Sequence, residues 1–124
     1  MDQHVLVVDD ERLLRWAVAE TLTAHGYEVS EAGDAKSALK AIGARRSSTD
    51  LVLLDLFLPD ACDLSVLKLI RAVVPAVPVI LMTAFATPEI AEEARAAGAC
   101  VIPKPFDMDT LTALIERAVV ARSH

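Results

Sequence analysis

The sequence predicts an α/β fold, a doubly wound parallel sheet of five strands with helices on both faces. Two observations predict it. Short apolar runs alternate along the whole chain with longer stretches of helical period, the pattern of a parallel sheet joined by crossover helices. Three of the runs are almost unbroken in Val, Leu and Ile, as strands are when both of their faces are covered. Composition agrees. With 54% hydrophobic but only 4% aromatic residues among 124, the core must be aliphatic, and this length suits one domain spanning 1–124.

The first run, "HVLVVDD", is a central strand ending in acidic residues, and Leu14, Val18 and Leu22 then recur every fourth residue in a helix from Glu11 to His25. "YEVSEA" alternates and suits an edge strand, and Ala38, Leu39 and Ile42 share one face of a helix from Asp34 to Ala44. "LVLLDL" is the second continuous run. After it "DLSVLKLIRAVV" places Val66, Leu67, Ile70 and Val74 on one face, with Asp63 as the expected N-cap. "PVILMTA" is the third continuous run. The following helix begins with Thr87 as cap and Pro88 in its first turn, and it stops at Gly98. The short run "CVIPKP" suits the other edge. A last helix, from about Asp107 to Arg122, buries Leu111, Leu114, Ile115, Ala118 and Val119. With strands one, three and four central and right-handed crossovers, the strand order is 2-1-3-4-5, which is flavodoxin-like.

One carboxylate interrupts this apolar pattern. "DLVLLDLFLPD" carries Asp55 inside a run of core character, where an ionised Asp is costly unless compensated. Ligand sites in such sheets lie beyond the C-terminal strand ends, and each relevant strand ends in a polar group. Strand one ends in Asp9 and Asp10, strand three in Asp55 and strand four in Thr83, and Lys104 follows strand five. Neighbouring strands are about 4.8 Å apart, so these groups converge. Two unit charges about 4 Å apart repel by roughly 4 kcal/mol at an effective dielectric of 20. Clustered carboxylates therefore need a cation or a proton. Carboxylate, carbonyl and water oxygens suit Mg²⁺, Lys104 can neutralise a further charge, and a carboxylate can itself attack phosphorus.

Taken singly, each residue also has a plainer explanation. Asp10 or Glu11 can simply start a helix, Thr83 can be a satisfied β-branched residue, and Lys104 and Pro105 can be solvated loop residues. All of these together require five coincidences at one sheet edge. Glu11 is expected to be mainly a helix-start residue. His4, His25 and His124 are expected at the surface or core edge, and Trp16 in packing. Cys62 and Cys100 match no metal or redox spacing and are expected as small reduced core or loop residues.

The pieces "VLVVDDE" (5–11), "LVLLDLFLP" (51–59), "ILMTAF" (80–85) and "PKPF" (103–106) resemble the receiver domain of bacterial response regulators, the CheY-like superfamily, over essentially the whole chain. The resemblance implies roles for individual residues. Asp55 would be the phosphoacceptor. Mg²⁺ would be held by Asp10, Asp55 and the backbone carbonyl of Phe57, with Asp9 acting directly or through water. Thr83 would donate its hydroxyl to the phosphoryl group. Lys104 would pair with that group, and the Lys104–Pro105 bond would be cis. The donor would be a phosphohistidine on a sensor histidine kinase. The readout surface would be helix four, strand five and helix five, with homodimers across that face. "LLRWAVAETL" and "PKPFDMDTL" resemble receivers of the NtrC type, which precede an ATPase domain and a helix-turn-helix domain. An output domain for transcription regulation would then lie outside this chain.

Three features depart from that pattern. Receivers usually carry Tyr or Phe where this chain has Val101, so the helix-four and strand-five face would signal by packing changes alone. Asp63 replaces a common glycine and is expected to change a loop shape modestly. Phe57 and Phe85 lie two residues after Asp55 and Thr83, where two rings would either exclude the attacking water and lengthen the life of an acyl phosphate or simply pack as partly buried side chains.

Other classes stay open. A phosphatase of the haloacid-dehalogenase type also uses an aspartyl nucleophile, but it wants a second Asp where Phe57 stands and a cap domain as well. A phosphorylation-independent dimerising module, or a stand-alone receiver, is the other alternative. No enzyme activity is expected beyond self-phosphorylation and self-dephosphorylation. The net charge of −6 argues against direct nucleic-acid contact. The longest uncharged stretch, Ala72 to Pro88, holds three prolines and is too short for a membrane span. The acidic N-terminus does not suit a signal peptide, so a cytoplasmic location is expected.

Overall fold

The computed structural model describes residues 3–45 and 47–123, which leaves His124 outside the described residues. Strands and helices alternate strictly: β1 (His4–Val8), α1 (Arg12–Ala24), β2 (Glu28–Ala32), α2 (Ala35–Arg45), β3 (Leu51–Asp55), α3 (Ser65–Val73), β4 (Val79–Thr83), α4 (Pro88–Ala96), β5 (Ala99–Pro103) and α5 (Met108–Ser123). The strands form one parallel sheet in the order β2-β1-β3-β4-β5. This is the order expected from the continuous runs, and β1, β3 and β4 are buried along their whole length.

Alternating side chains of the central strands divide between two cores. Leu6, Val8, Val52, Leu54, Val79 and Leu81 pack with Ala38 and Ile42 of α2, Leu67 and Ile70 of α3 and Ala94 of α4. Val5, Val7, Leu51, Leu53, Ile80 and Met82 pack with Val18 and Leu22 of α1 and with Leu111, Ile115 and Val119 of α5. Burying a side chain such as Ile80 completely contributes about 1.5–3 kcal/mol. This double burial explains why the runs show no polar alternation.

Helix ends follow local chemistry. The Thr87 hydroxyl accepts from the Ile90 N–H with Pro88 in the first turn, as expected. Gly98, at φ +77°, reverses the chain after α4, a conformation that a residue with a Cβ adopts only with strain. Asp107 Oδ1 accepts from the Thr110 N–H before α5. Asp63 corrects the expectation. The N-cap position of α3 is Leu64, and Asp63, one residue earlier, accepts from the Ser65 N–H. Asp60 reaches across from the β3–α3 loop to accept from the Ala35 and Lys36 N–H groups at the start of α2.

Two packing expectations are also corrected. Trp16 is 59% exposed, because α1 buries Val18, Ala19 and Leu22 on the opposite side. Cys62 is free in the β3–α3 loop, as expected of a reduced loop residue, whereas Cys100, also free, is exposed on β5 rather than in the core or a loop. His4 is buried in β1, with Nε2 at 2.7 Å from Ser30 Oγ, and His25 is exposed. Among the described residues, no helix is long and apolar enough to cross a membrane.

Candidate functional site

Sheet register builds the site. Val8 of β1 is paired with Leu54 of β3, so the next residues, Asp9 and Asp55, leave the sheet side by side. Thr83 is paired with Pro103, so Lys104 follows directly, and its N–H donates to the Thr83 carbonyl at 2.7 Å. Asp9, Asp55 and Thr83 are all buried, at 0%, 5% and 0% exposure.

Lys104 Nζ stands among three carboxylates. It lies 2.8 Å from Asp9 Oδ2, 3.0 Å from Glu11 Oε1 and 3.4 Å from Asp55 Oδ2. Burial alone would disfavour the ammonium, but its hydrogen bonds to Asp9 and Glu11 and the charges of Asp9 and Asp55 outweigh that and raise its pKa. Asp55 is pushed up to about 6, first by burial and then by the charge of Asp9, against the opposing pull of Lys104 and the Phe57 N–H. The pocket is thus short of positive charge. One ammonium serves three anions, and the carboxylate at the end of β3 is poised between its charged and neutral forms.

The sequence-derived set gathers only in part. Asp9, Asp55, Thr83 and Lys104 come together at the carboxyl end of the sheet, and the Lys104–Pro105 peptide is cis. Asp10 is exposed and stands outside the group of ligand oxygens that face one another. That group consists of Asp9, Glu11 and Asp55, whose oxygens lie within 4.8 Å of one another. Glu11 is therefore more than a helix-start residue. It occupies the N-cap position of α1 without a side-chain cap bond and turns its carboxylate to Lys104. Three hard oxygen donors around a concentrated negative charge suit a small divalent cation such as Mg²⁺.

Phe57 and Phe85 belong to the two loops that leave the reactive strands. The Phe57 N–H donates to Asp55 Oδ1 at 3.2 Å, and the Phe85 N–H donates to Thr83 Oγ1 at 2.9 Å. The rings meet edge to face, with centroids 4.9 Å apart at 69°. Sequence alone missed Arg15. Its Nη1 donates to the Asp9 carbonyl at 2.8 Å and its Nε to Glu31 at 3.0 Å, which holds the turn after β1 from behind. The only prior signal was its place one helical turn after Glu11.

Residues 5–116 match the response regulator receiver domain family. The chain belongs to that family. This receiver is 39% identical over 117 residues, or 94% of its length, to the DNA-binding transcriptional regulator NtrC of Proteus hauseri. It is 37% identical over 121 residues to the transcriptional regulatory protein ZraR of Escherichia coli K12. It spans only 24% and 27% of those two regulators. Among solved structures it superposes on a CheY-like receiver domain protein from Methanospirillum hungatei with a TM-score of 0.92 and 27% identity, covering 99% of this chain and 98% of that one. NtrX from Brucella abortus, solved in complex with ATP, superposes at 0.88 with 38% identity, over 99% of this chain and 28% of that one. The expected family and fold are thus borne out, and the family is one of signalling domains in two-component systems rather than of catalysts.

Proposed function

We propose that this receiver, taken as a single domain over residues 1–124, accepts a phosphoryl group on Asp55 from a phosphohistidine of a sensor kinase. The observation that supports this most strongly is the meeting of Asp9, Asp55 and Lys104 beside buried Thr83 at the carboxyl end of the sheet. A desolvated carboxylate with a raised pKa beside a specific charge partner marks a candidate functional site.

In this reading an oxygen of Asp55 attacks phosphorus, the phosphorus–nitrogen bond breaks, and the donor imidazole keeps the electron pair. Lys104 turns from the carboxylates toward the new phosphoryl oxygens. The Thr83 hydroxyl accepts from the Phe85 N–H, so its single proton is free to be donated to one of them. Mg²⁺, held by Asp9, Asp10, Asp55 and the Phe57 carbonyl with the Glu11 carboxylate alongside, would supply positive charge against the transferring group. Asp10 is exposed next to Asp9, and in this reading its side chain turns in to join them.

The modification adds about −1.5 to −2 charge to the pocket and biases a two-state surface. That surface is α4, β5 and α5. Val101 on β5 is half-buried against the core that includes Ala94 of α4, so a shift of Thr83 would reach the surface through aliphatic packing. Arg95 pairs with Glu92 on the exposed side of α4. Homodimerisation through this face, a cytoplasmic location and control of a transcription-regulating output domain all fit the likeness to NtrC and ZraR. Incubation with acetyl phosphate and Mg²⁺ followed by intact mass tests the proposal. One added phosphate that is lost in Asp55→Asn supports it, and no adduct under any condition favours a phosphorylation-independent binding module.

A further inference from the structure

Phe57 and Phe85 belong to neither core cluster and are 41% and 58% exposed, yet their rings are in edge-to-face contact. Each ring is carried by the residue whose main-chain N–H holds one reactive side chain, Phe57 for Asp55 and Phe85 for Thr83. The contact therefore closes a circuit that runs from Asp55 through Phe57 and Phe85 to Thr83. We propose that this ring pair is a clasp between the β3–α3 and β4–α4 loops that sets the spacing between the Asp55 carboxylate and the Thr83 hydroxyl. Phe57 and Phe85 are thus positioning residues for phosphoryl acceptance, an inference that rests on Asp55 being the acceptor.

Both loops need such a tie. β3 ends at Asp55 and β4 at Thr83, and beyond β3 one more bond, from the Leu56 N–H to the Met82 carbonyl at 3.3 Å, continues the ladder before the chain leaves the sheet. The β3–α3 loop then holds an isolated bridge between Leu58 and Ala61 and the bonds from Asp60 to the start of α2, none of which reaches the β4–α4 loop. Segments of this kind are the mobile parts of a fold. An edge-to-face pair shifts a local equilibrium by about twofold to tenfold beyond its buried area. A hydroxyl and a carboxylate held at a fixed spacing bind a phosphoryl group without first being ordered.

The test is a double-variant cycle on the 124-residue chain, read as affinity for beryllium fluoride in the presence of Mg²⁺, with amide hydrogen exchange at residues 57 and 85. Phe57→Leu and Phe85→Leu should each weaken binding about twofold to tenfold. The double variant should be no weaker than the weaker single one. Phe57→Leu should speed exchange at the Phe85 amide, and Phe85→Leu at the Phe57 amide. Phe57→Tyr, which keeps the ring, should match the unaltered chain. Unaltered affinity in both single variants overturns the clasp, as do losses that multiply or partner amides that do not respond. An unaltered chain that takes up no beryllium fluoride overturns the acceptor site itself, which keeps the two failures apart.

Discussion

Lys104 and Asp9, ninety-five positions apart, meet at 2.8 Å with side chains 11% and 0% exposed. The same ammonium reaches Glu11 and Asp55, so one cation holds together the carboxyl ends of β1, β3 and β5. The site is assembled by charge that the fold has drawn out of water.

Removing that cation should be costly. Breaking a buried ion pair by deleting one partner destabilises by about 3–5 kcal/mol. Lys104→Met should lower the urea midpoint accordingly at neutral pH in the presence of a chelator. Mg²⁺ should restore part of the loss, because it supplies the missing positive charge to Asp9 and Asp55. A midpoint equal to that of the unaltered chain would mean that the ammonium is not what holds these acids.

Asp55 should penalise folding at neutral pH. Its folded-state pKa of about 6 lies above the usual carboxylate value of 3.8. Above pH 6 both states are ionised and the full cost of the buried charge is present. As pH falls through 6 the folded state takes up a proton first, and the cost fades until it is gone below the unfolded value. Metal-free Asp55→Asn should therefore be more stable than the unaltered chain at pH 8 by the order of 1–3 kcal/mol, with the gap narrowing as pH falls through 6 and gone below pH 3.8. A gap independent of pH, measured by denaturant unfolding, would contradict this.

His4 should act in the opposite direction. Burial lowers its pKa below 6.5, helped by the charge of Arg45 and opposed by Glu28 and Asp50, and Nδ1 has no hydrogen-bond partner among the described residues. The folded state therefore keeps the ring neutral while the unfolded chain becomes protonated. Stability is lost as pH falls through 6.5, at up to about 1.4 kcal/mol per pH unit. The difference in unfolding free energy between His4→Gln and the unaltered chain should move in favour of the variant between pH 7.5 and 5.5. A constant difference would remove His4 as the cause.

The phosphorylated state should be long-lived. Hydrolysis requires water to reach phosphorus while the Asp55 carboxylate leaves, and the paired rings of Phe57 and Phe85, two residues past Asp55 and Thr83, would flank that approach. Phe57→Asn with Phe85→Lys should speed loss of the phosphoryl group on the order of tenfold, since polar side chains admit and orient water. The decay of the phosphorylated mass after donor removal measures this, and an unchanged rate would leave the rings without a role in water exclusion.

Much of this was legible in the chain. The continuous Val, Leu and Ile runs gave the three central strands because double burial leaves no polar alternation to confuse the pattern. Thr87, Pro88 and Gly98 marked the limits of α4 because capping depends on a few adjacent residues. Trp16 could have been placed on the solvent side by its offset from Leu14 and Val18, since hydrophobicity alone does not say which way a helix faces. Glu11 was the real loss. Its contact with Lys104 spans ninety-three positions and depends on two loop conformations that no local pattern encodes. The same holds for Arg71, whose guanidinium donates to the carbonyls of Val74, Pro75, Val77, Ala97 and Gly98 and so ties the end of α3 to the end of α4. The contact between the Phe57 and Phe85 rings was likewise hidden, although their positions beside Asp55 and Thr83 were evident.

The most direct test of the central claim is a crystal structure of the chain with Mg²⁺ and beryllium fluoride. Beryllium fluoride should be bonded to an Asp55 oxygen, with Thr83 Oγ1 and Lys104 Nζ on its fluorines and an ion between the acidic residues and the Phe57 carbonyl. Asp55 carrying no adduct, with no ion among Asp9, Asp10, Glu11 and Asp55, would contradict it.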